Sequence, residues 1–156
     1  MSGTKPLKNQ PMTYRSQLRV ILDTNVLRAV FREAGKYPLL ESRIKHTPYE
    51  QLYISIVSVE EVLRGTLELF RRHERDLPAA YRFIQNVLLD LARFQIISFD
   101  EHDDRKYQAM PPGVRRHGKR DCRIAASALA RGYKVITRNL DDFKAIGVDC
   151  EDWFVA

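Results

Sequence analysis

Short unbroken apolar runs alternate along this chain with segments in which apolar residues recur every three or four positions. The runs predict parallel strands, because a strand covered on both faces has apolar residues at every position. We place these strands at 19–22, 53–57, 95–98 and 134–137. The periodic segments predict helices, the later ones over about 59–73, 78–94, 101–110, 121–130 and 141–146. A further edge strand is expected at 153–155.

Strands and helices in alternation predict an α/β fold in three layers, with a central parallel sheet of four to five strands flanked by helices. A length of 156 residues suits one domain. We assign it to 18–156, after a flexible N-terminal leader at 1–17 that is polar and lacks the apolar core of a secretory signal. No apolar run approaches the ~20 residues of a membrane span. We therefore expect a cytoplasmic protein with no membrane partner.

The net positive charge of the chain predicts a polyanionic partner. There are 26 Lys and Arg against 20 Asp and Glu, a net charge of +6, and a basic surface favours phosphate-bearing partners. Most charged runs are simply solvated surface. The run at 115–120, which we predict to be a loop, differs because it directly precedes Asp121. Its candidates for binding substrate phosphates are Arg115, Arg116, Lys119 and Arg120.

Acidic side chains stand at corresponding places in the strand–helix pattern. Asp23 follows the first strand, and Glu61, with Glu60 beside it as an alternative metal ligand, lies early in the helix after the second. Asp121 begins an alanine-rich helix, and Asn139, Asp141 and Asp142 follow the fourth strand. Because the carboxyl ends of parallel strands share one edge of a sheet, we expect these side chains to converge. Grouped carboxylates repel one another unless a cation joins them, and oxygen ligands suit Mg²⁺ or Mn²⁺.

The first two acids also have local explanations. Asp23 could cap the helix after it, although Thr24 and Asn25 could do so instead. Ser58 and Glu61 have the spacing of a capping box, which is the better interpretation of Glu61 on spacing alone.

The two later acids have equally ordinary roles. Asp121, in a first helical turn, would interact favourably with the helix dipole, by about 0.3–1 kcal/mol. It also shares a helical face with apolar Ile124, which places it at a pocket edge rather than in open solvent. Asp141 is well placed as a helix cap, which leaves Asp142 or Asn139 to face the other acids.

Convergent carboxylates suit one or two Mg²⁺ ions that activate water for attack on a phosphodiester. Thr137, at the tip of the fourth strand, could hold a metal-bound water or a phosphate. Two other functions stay open. One is phosphoryl transfer with Asp23 as covalent nucleophile, although Asn25 stands where that chemistry commonly has a second acid. The other is an RNA-binding module without catalysis, against which the complete acidic set counts.

In this order and spacing, the motifs resemble those of PIN-domain ribonucleases, specifically the VapC toxins of type II toxin–antitoxin pairs. The resemblance covers about 19–154. It rests on ILDTNVL at 21–27, SVEEVLRG at 58–65, DCRIAASAL at 121–129 and TRNLDDF at 137–143. Arg120 is a departure, because the family often has a small or polar residue before this aspartate.

The resemblance implies a Mg²⁺- or Mn²⁺-dependent endoribonuclease that cleaves RNA and forms a homodimer. It also implies a cognate antitoxin protein whose C-terminal segment lies in a groove and can push a basic side chain into the acidic pocket. The catalytic and metal-binding residues would be Asp23, Glu61, Asp121 and Asp142. The side chains that would position these ligands or the phosphate are Thr24, Asn139 and Thr137.

Overall fold

The computed structural model describes residues 18–73, 75–116 and 118–156, so the predicted leader at 1–17 lies outside the described residues. The described helices are α1 (Thr24–Arg32), α2 (Pro38–His46), α3 (Ile56–Arg72), α4 (Leu77–Leu91), α5 (Glu101–Gln108), α6 (Pro112–Arg115), α7 (Lys119–Arg131) and α8 (Leu140–Ile146). The strands are β1 (Val20–Leu22), β2 (Leu52–Ser55), β3 (Gln95–Ile97), β4 (Lys134–Ile136) and β5 (Cys150–Glu151). No helix in these ranges combines the length and apolar character that a membrane crossing requires.

The strands pair in parallel in the order β3-β2-β1-β4-β5, which confirms the predicted parallel sheet. Val20 of β1 pairs with Leu52 of β2 on one side and with Lys134 of β4 on the other. The chain thus moves outward from β1 to β3, then returns to the opposite side of β1 for β4 and β5. Such a reversal opens a crevice beyond the carboxyl ends of the two strands where it occurs, here β1 and β4.

Different helices cover the two faces of the sheet, which gives the three predicted layers. In β1, Val20 and Leu22 belong to a core with α1, α3 and α4, while Ile21 belongs to a second core with α5 and α7. All three side chains are fully buried. A strand covered on both faces explains why its sequence is an unbroken apolar run.

The start of α3 differs from the prediction. The helix begins at Ile56, because Ser55 caps it and accepts a hydrogen bond from the Val57 N–H at 3.1 Å. Ser58 is therefore already inside the helix and buried. The capping box of Ser58 with Glu61 is wrong, and the Glu61 side chain has no capping role.

Two other predicted elements are also corrected. A basic loop is expected over 115–120, but α6 covers its first residue and α7 begins at Lys119. Pro112 is the first residue of α6, where a proline loses no helical hydrogen bond. The edge strand is β5 at Cys150–Glu151 instead of 153–155, and Trp153 packs its side chain into the core.

Candidate active site

Asp23 joins the tips of the two central strands. It directly follows β1 and is the N-cap of α1, where its Oδ1 accepts a hydrogen bond from the Thr24 N–H at 2.7 Å. Its Oδ2 accepts one from the hydroxyl of Thr137, just after β4, at 2.8 Å. The alternative in which Thr24 or Asn25 caps this helix is wrong. Only 2% of Asp23 is exposed, so its carboxylate lies inside the crevice between β1 and β4.

The surroundings of Asp23 oppose its negative charge. Its pKa is raised from 3.8 to about 7, chiefly because burial removes the carboxylate from water. The negative charges of Asp121 and Glu61 raise the pKa further, while the hydrogen bonds from Thr137 and Thr24 lower it. The fold thus brings like charges from separate elements to one crevice, an arrangement that a cation would stabilise.

Thr137 connects Asp23 to two asparagines. Its hydroxyl donates its single proton to Asp23, so both of its lone pairs remain to accept hydrogen bonds. They accept from the Asn139 backbone N–H at 3.0 Å and from Nδ2 of Asn25 at 3.3 Å. This pattern fixes the orientation of the Asn25 amide. Its Oδ1 is buried and has no hydrogen-bond partner in the described ranges, which is a polar atom that a bound cation or its hydration water would satisfy.

Asp121 and Asp142 belong to helices on the opposite face of the sheet from α1 and α3. They lie in the first turns of α7 and α8. Burial raises the pKa of Asp121, and the negative charges of Asp142 and Glu61 raise it further, while a hydrogen bond from the Asn139 side chain lowers it. Asp141, by contrast, is exposed and does not cap α8, since Asn139 is the residue at that position.

Glu61 is held by two arginines. Its Oε1 accepts hydrogen bonds from Nη2 of Arg28 at 2.8 Å and from Nη1 of Arg120 at 3.3 Å. The first arginine comes from α1 and the second from α7, so side chains from two helices meet at this carboxylate of α3. Arg28 is absent from the sequence-based candidates, because it is a single basic residue on an otherwise ordinary amphipathic helix.

Ser58 is a further residue missed by sequence reasoning. Its Oγ accepts a hydrogen bond from the Thr24 hydroxyl at 3.0 Å, and both side chains are buried. This bond ties the first turn of α1 to the first turn of α3. The helix that carries Glu61 is therefore anchored next to Asp23. Ser58 and Glu61 have the spacing of a capping box, so the sequence suggests a helix cap rather than a hydrogen bond between Ser58 and Thr24.

The predicted phosphate-binding residues have different surroundings. Arg120 contacts Glu61, whereas the Arg115 guanidinium lies 5.9 Å from the centre of the Tyr107 ring. Arg116 and Lys119 are exposed. Among the described residues of the basic segment, Arg120 is in direct contact with an acid of the crevice.

The chemistry of the crevice fits a hard divalent cation. Its side chains are carboxylates, hydroxyls and amides, the oxygen donors that Mg²⁺ and Mn²⁺ prefer. In the described part of the chain, no three acidic, histidine or cysteine side chains are close enough to share one ion in their present arrangement. The Asp23, Glu61 and Asp121 side chains nevertheless act on one another electrostatically, and Glu61 is held by arginines. The oxygen-bearing side chains of the crevice suit Mg²⁺ or Mn²⁺, while one of them, Glu61, is bound by Arg28 and Arg120.

Known proteins share the sequence pattern and the fold. The family model described as PIN domain matches residues 20–149. A VapC ribonuclease from Sinorhizobium fredii is 33% identical over 134 residues, which cover 83% of this chain and 94% of the relative. A plasmid stability protein from Pseudomonas syringae pv. tomato is 30% identical over the same shares.

A solved structure, DNA-bound VapBC from Salmonella typhimurium, aligns with a TM-score of 0.68 and 26% identity. The alignment covers 87% of this chain and 98% of the other. The match to the family model extends over most of the chain, and the aligned fold has the same extent. The chain therefore belongs to the PIN domain family, as a member of its VapC type.

Proposed function

We propose that this protein is a divalent-metal-dependent endoribonuclease and the toxin of a toxin–antitoxin pair. The observation that carries this proposal is the buried carboxylate of Asp23, whose pKa of about 7 reflects both burial and the charges of Asp121 and Glu61. Burying like charges together destabilises a fold, and a site for a cation is a functional reason to keep them. The basic net charge of +6 and the similarity to a VapC ribonuclease support an RNA substrate.

The residues that would hold Mg²⁺ or Mn²⁺ are Asp23, Glu61, Asp121 and Asp142. When bound, the ion would promote deprotonation of a water near neutral pH and offset the charge that builds up on the phosphate. The remaining chemistry belongs to the residues around these acids. The hydrogen bonds of Thr24 and Thr137 hold the Asp23 carboxylate in one orientation.

Two contacts would set the other acids relative to Asp23. The bond between Thr24 and Ser58 holds α3, and thus Glu61, against the start of α1. A hydrogen bond from the Asn139 side chain lowers the pKa of Asp121, and we propose that it holds that carboxylate in place. We assign Thr24, Asn139 and Thr137 this positioning role in cleavage, because each bonds to an acid or to the element that carries one.

We further propose a protein partner, an oligomeric state, a domain extent and a cellular location. The similar Salmonella structure is a VapBC bound to DNA, and we propose a cognate antitoxin protein for this chain as well. We also propose a homodimer, one nuclease domain over 18–156, and action in the cytoplasm, where RNA substrates are found.

The test is cleavage of RNA by the purified chain. A single-stranded RNA labelled at both ends is incubated with Mn²⁺, with and without EDTA, and products are resolved on a denaturing gel. We expect internal cleavage that EDTA abolishes. Asp23→Asn, Glu61→Gln, Asp121→Asn and Asp142→Asn should each lose more than about 100-fold, since even residues around metal ligands contribute 10–100-fold. Asp141→Asn is the matched control, because it removes an exposed charge next to Asp142 and should keep full activity.

Three outcomes would overturn the assignment. Cleavage that persists in Asp23→Asn would exclude this site as the catalytic centre. RNA binding without cleavage at any Mn²⁺ concentration would favour the non-catalytic module. An acid-stable phosphate adduct on Asp23 after incubation with a phosphoryl donor would favour phosphoryl transfer instead.

A further inference from the structure

Glu61 has cationic partners within the chain itself, and this bears on how the proposed site works. We propose that Arg28 and Arg120 are positioning residues with two successive partners. They hold Glu61 while the site is metal-free, and they bind phosphates of the RNA backbone once Glu61 turns to the metal. This inference rests on the proposed function, because it assigns these two arginines a part in the same reaction.

The two arginines and a metal ion would compete for one oxygen of Glu61. Both guanidinium groups bind Oε1 of Glu61, at 2.8 Å from Arg28 and 3.3 Å from Arg120. A carboxylate oxygen has about two lone-pair sites, so two N–H donors already use the capacity of this atom. A divalent ion on the same oxygen would displace at least one guanidinium and repel both. Metal binding and the arginine contacts therefore oppose each other at Glu61.

Once displaced from Glu61, the two arginines can bind another anion. Glu61 is largely covered, with 15% of its side chain exposed, whereas Arg28 and Arg120 are 48% and 41% exposed. Each guanidinium has five N–H donors in a planar fork, and only one of them bonds to Glu61. Within the described ranges the remaining donors have no acceptor, which leaves them for an anion approaching from solvent. A phosphodiester matches that fork with two parallel hydrogen bonds.

The positions of Arg28 and Arg120 in the fold also suit them to bind the substrate. Arg28 lies on α1, the helix that Asp23 caps, and Arg120 directly precedes Asp121 on α7. The two arginines therefore flank the acids from two different helices. Nearby arginines are occupied elsewhere: Arg64 pairs with Glu60 on the outer face of α3, and Arg123 lies 5.6 Å from the centre of the Tyr107 ring. This placement makes Arg28 and Arg120 the pair suited to hold phosphates on both sides of a cleaved bond.

The experiment measures metal affinity and RNA interaction in the same proteins. Mn²⁺ binding is followed by the electron paramagnetic resonance signal of the free ion, with no RNA present. We expect Arg28→Gln and Arg120→Gln each to bind Mn²⁺ about two- to fivefold more tightly, because a partly exposed ion pair no longer competes for Glu61. In steady-state RNA cleavage, each variant should raise KM about tenfold through loss of a charged hydrogen bond to phosphate.

The dependence of KM on salt supplies a readout that a purely structural role would not change. Each lost phosphate contact should lower the slope of log KM against log salt by about 0.7 for single-stranded RNA. The matched controls are Arg32→Gln and Arg123→Gln, one turn further along α1 and α7. They remove the same charge away from Glu61, and we expect less than a twofold change in Mn²⁺ affinity and in KM.

Failure of this inference is distinguishable from failure of the proposed function. If wild-type protein binds Mn²⁺, Asp23→Asn abolishes that binding, and the two arginine variants bind no more tightly than wild type, the arginine proposal alone is overturned. The same holds if the control variants tighten binding equally, since net charge would then explain the effect. If wild-type protein binds no Mn²⁺, or binds it equally well after Asp23→Asn, the metal site itself is overturned.

Discussion

Replacement of Asp23 by asparagine should stabilise the protein at alkaline pH. Burial raises the pKa of this carboxyl from 3.8 to about 7, and the unfolded chain ionises near the lower value. Between these two pH values the folded state binds more protons than the unfolded state, so stability falls as pH rises. The loss is complete above about pH 7. This difference in pKa corresponds to about 4 kcal/mol, a penalty that the neutral amide avoids.

The amide introduces an opposing loss. Asp23 accepts hydrogen bonds from the Thr24 N–H and the Thr137 hydroxyl, and asparagine has one acceptor oxygen for these two donors. Its amino group faces a hydroxyl whose lone pairs already serve Asn25 and Asn139, so one hydrogen bond is lost, about 1–2 kcal/mol. In EDTA, Asp23→Asn should therefore be more stable than wild type by about 2 kcal/mol at pH 8. Near pH 4 the wild-type carboxyl is protonated and, like the amide, has one carbonyl acceptor, so this advantage should be lost.

Urea unfolding at several pH values between 4 and 8 measures this difference. The chain has one tryptophan, Trp153, which is buried, so its fluorescence reports on unfolding. Asp141→Asn is the control, because that carboxylate is exposed and its removal should leave the pH dependence unchanged. A difference between Asp23→Asn and wild type that is the same at every pH, or a wild type that is the more stable protein at pH 8, would refute a raised pKa at Asp23.

Two further changes test contacts that hold the fold and the crevice. Arg131→Leu leaves the fully buried carboxylate of Asp103 without the guanidinium that bonds to it at 2.6 Å. Urea unfolding should show that the free energy of unfolding falls by about 3 kcal/mol. An equal loss in the control Arg123→Leu would contradict this explanation. Thr137→Val removes the hydrogen bond that lowers the pKa of Asp23, so carbon NMR of the metal-free protein should show a still higher pKa for this carboxyl. Thr137→Ser keeps a hydroxyl and should restore the wild-type pKa. An unchanged pKa in the valine variant would disprove the hydrogen bond between Thr137 and Asp23.

The central strand and the acid after it are predictable from sequence for one physical reason. Val20, Ile21 and Leu22 are covered on both faces of the sheet, so no position of β1 alternates with a polar residue. The polar residue that follows therefore marks the strand end. The same reasoning finds β4, although Thr137 belongs to the turn after that strand rather than to the strand itself.

The start of α3 is not predictable from spacing. Ser55 and Ser58 are both serines before an apolar helix, and each offers cap chemistry. The choice depends on the sheet, because Ser55 is the last residue of β2 and pairs with Ile97 of β3. Tertiary pairing thus ends the strand at Ser55 and frees Ser58 to bond with Thr24. A pattern within one segment contains no information about that neighbouring strand.

The arginine contacts lie beyond sequence reasoning for a related reason. Arg28 and Glu61 are 33 positions apart, and Arg120 and Glu61 are 59 apart. The packing of α1 and α7 beside α3 brings them together, and packing is set by apolar residues elsewhere on these helices. The charge of an arginine shows in the sequence, but its partner depends on that packing.

The independence of the core from the crevice makes the activity experiments interpretable. The residues of β1 and the last two of β4 are fully buried and apolar, and they supply stability whether or not the acids beyond them are charged. The acids themselves reduce stability at neutral pH, since burial raises the pKa of Asp23 and Asp121. Neutral substitutions there relieve charge repulsion without opening the core. A loss of RNA cleavage in such variants therefore reports on chemistry and metal binding rather than on unfolding.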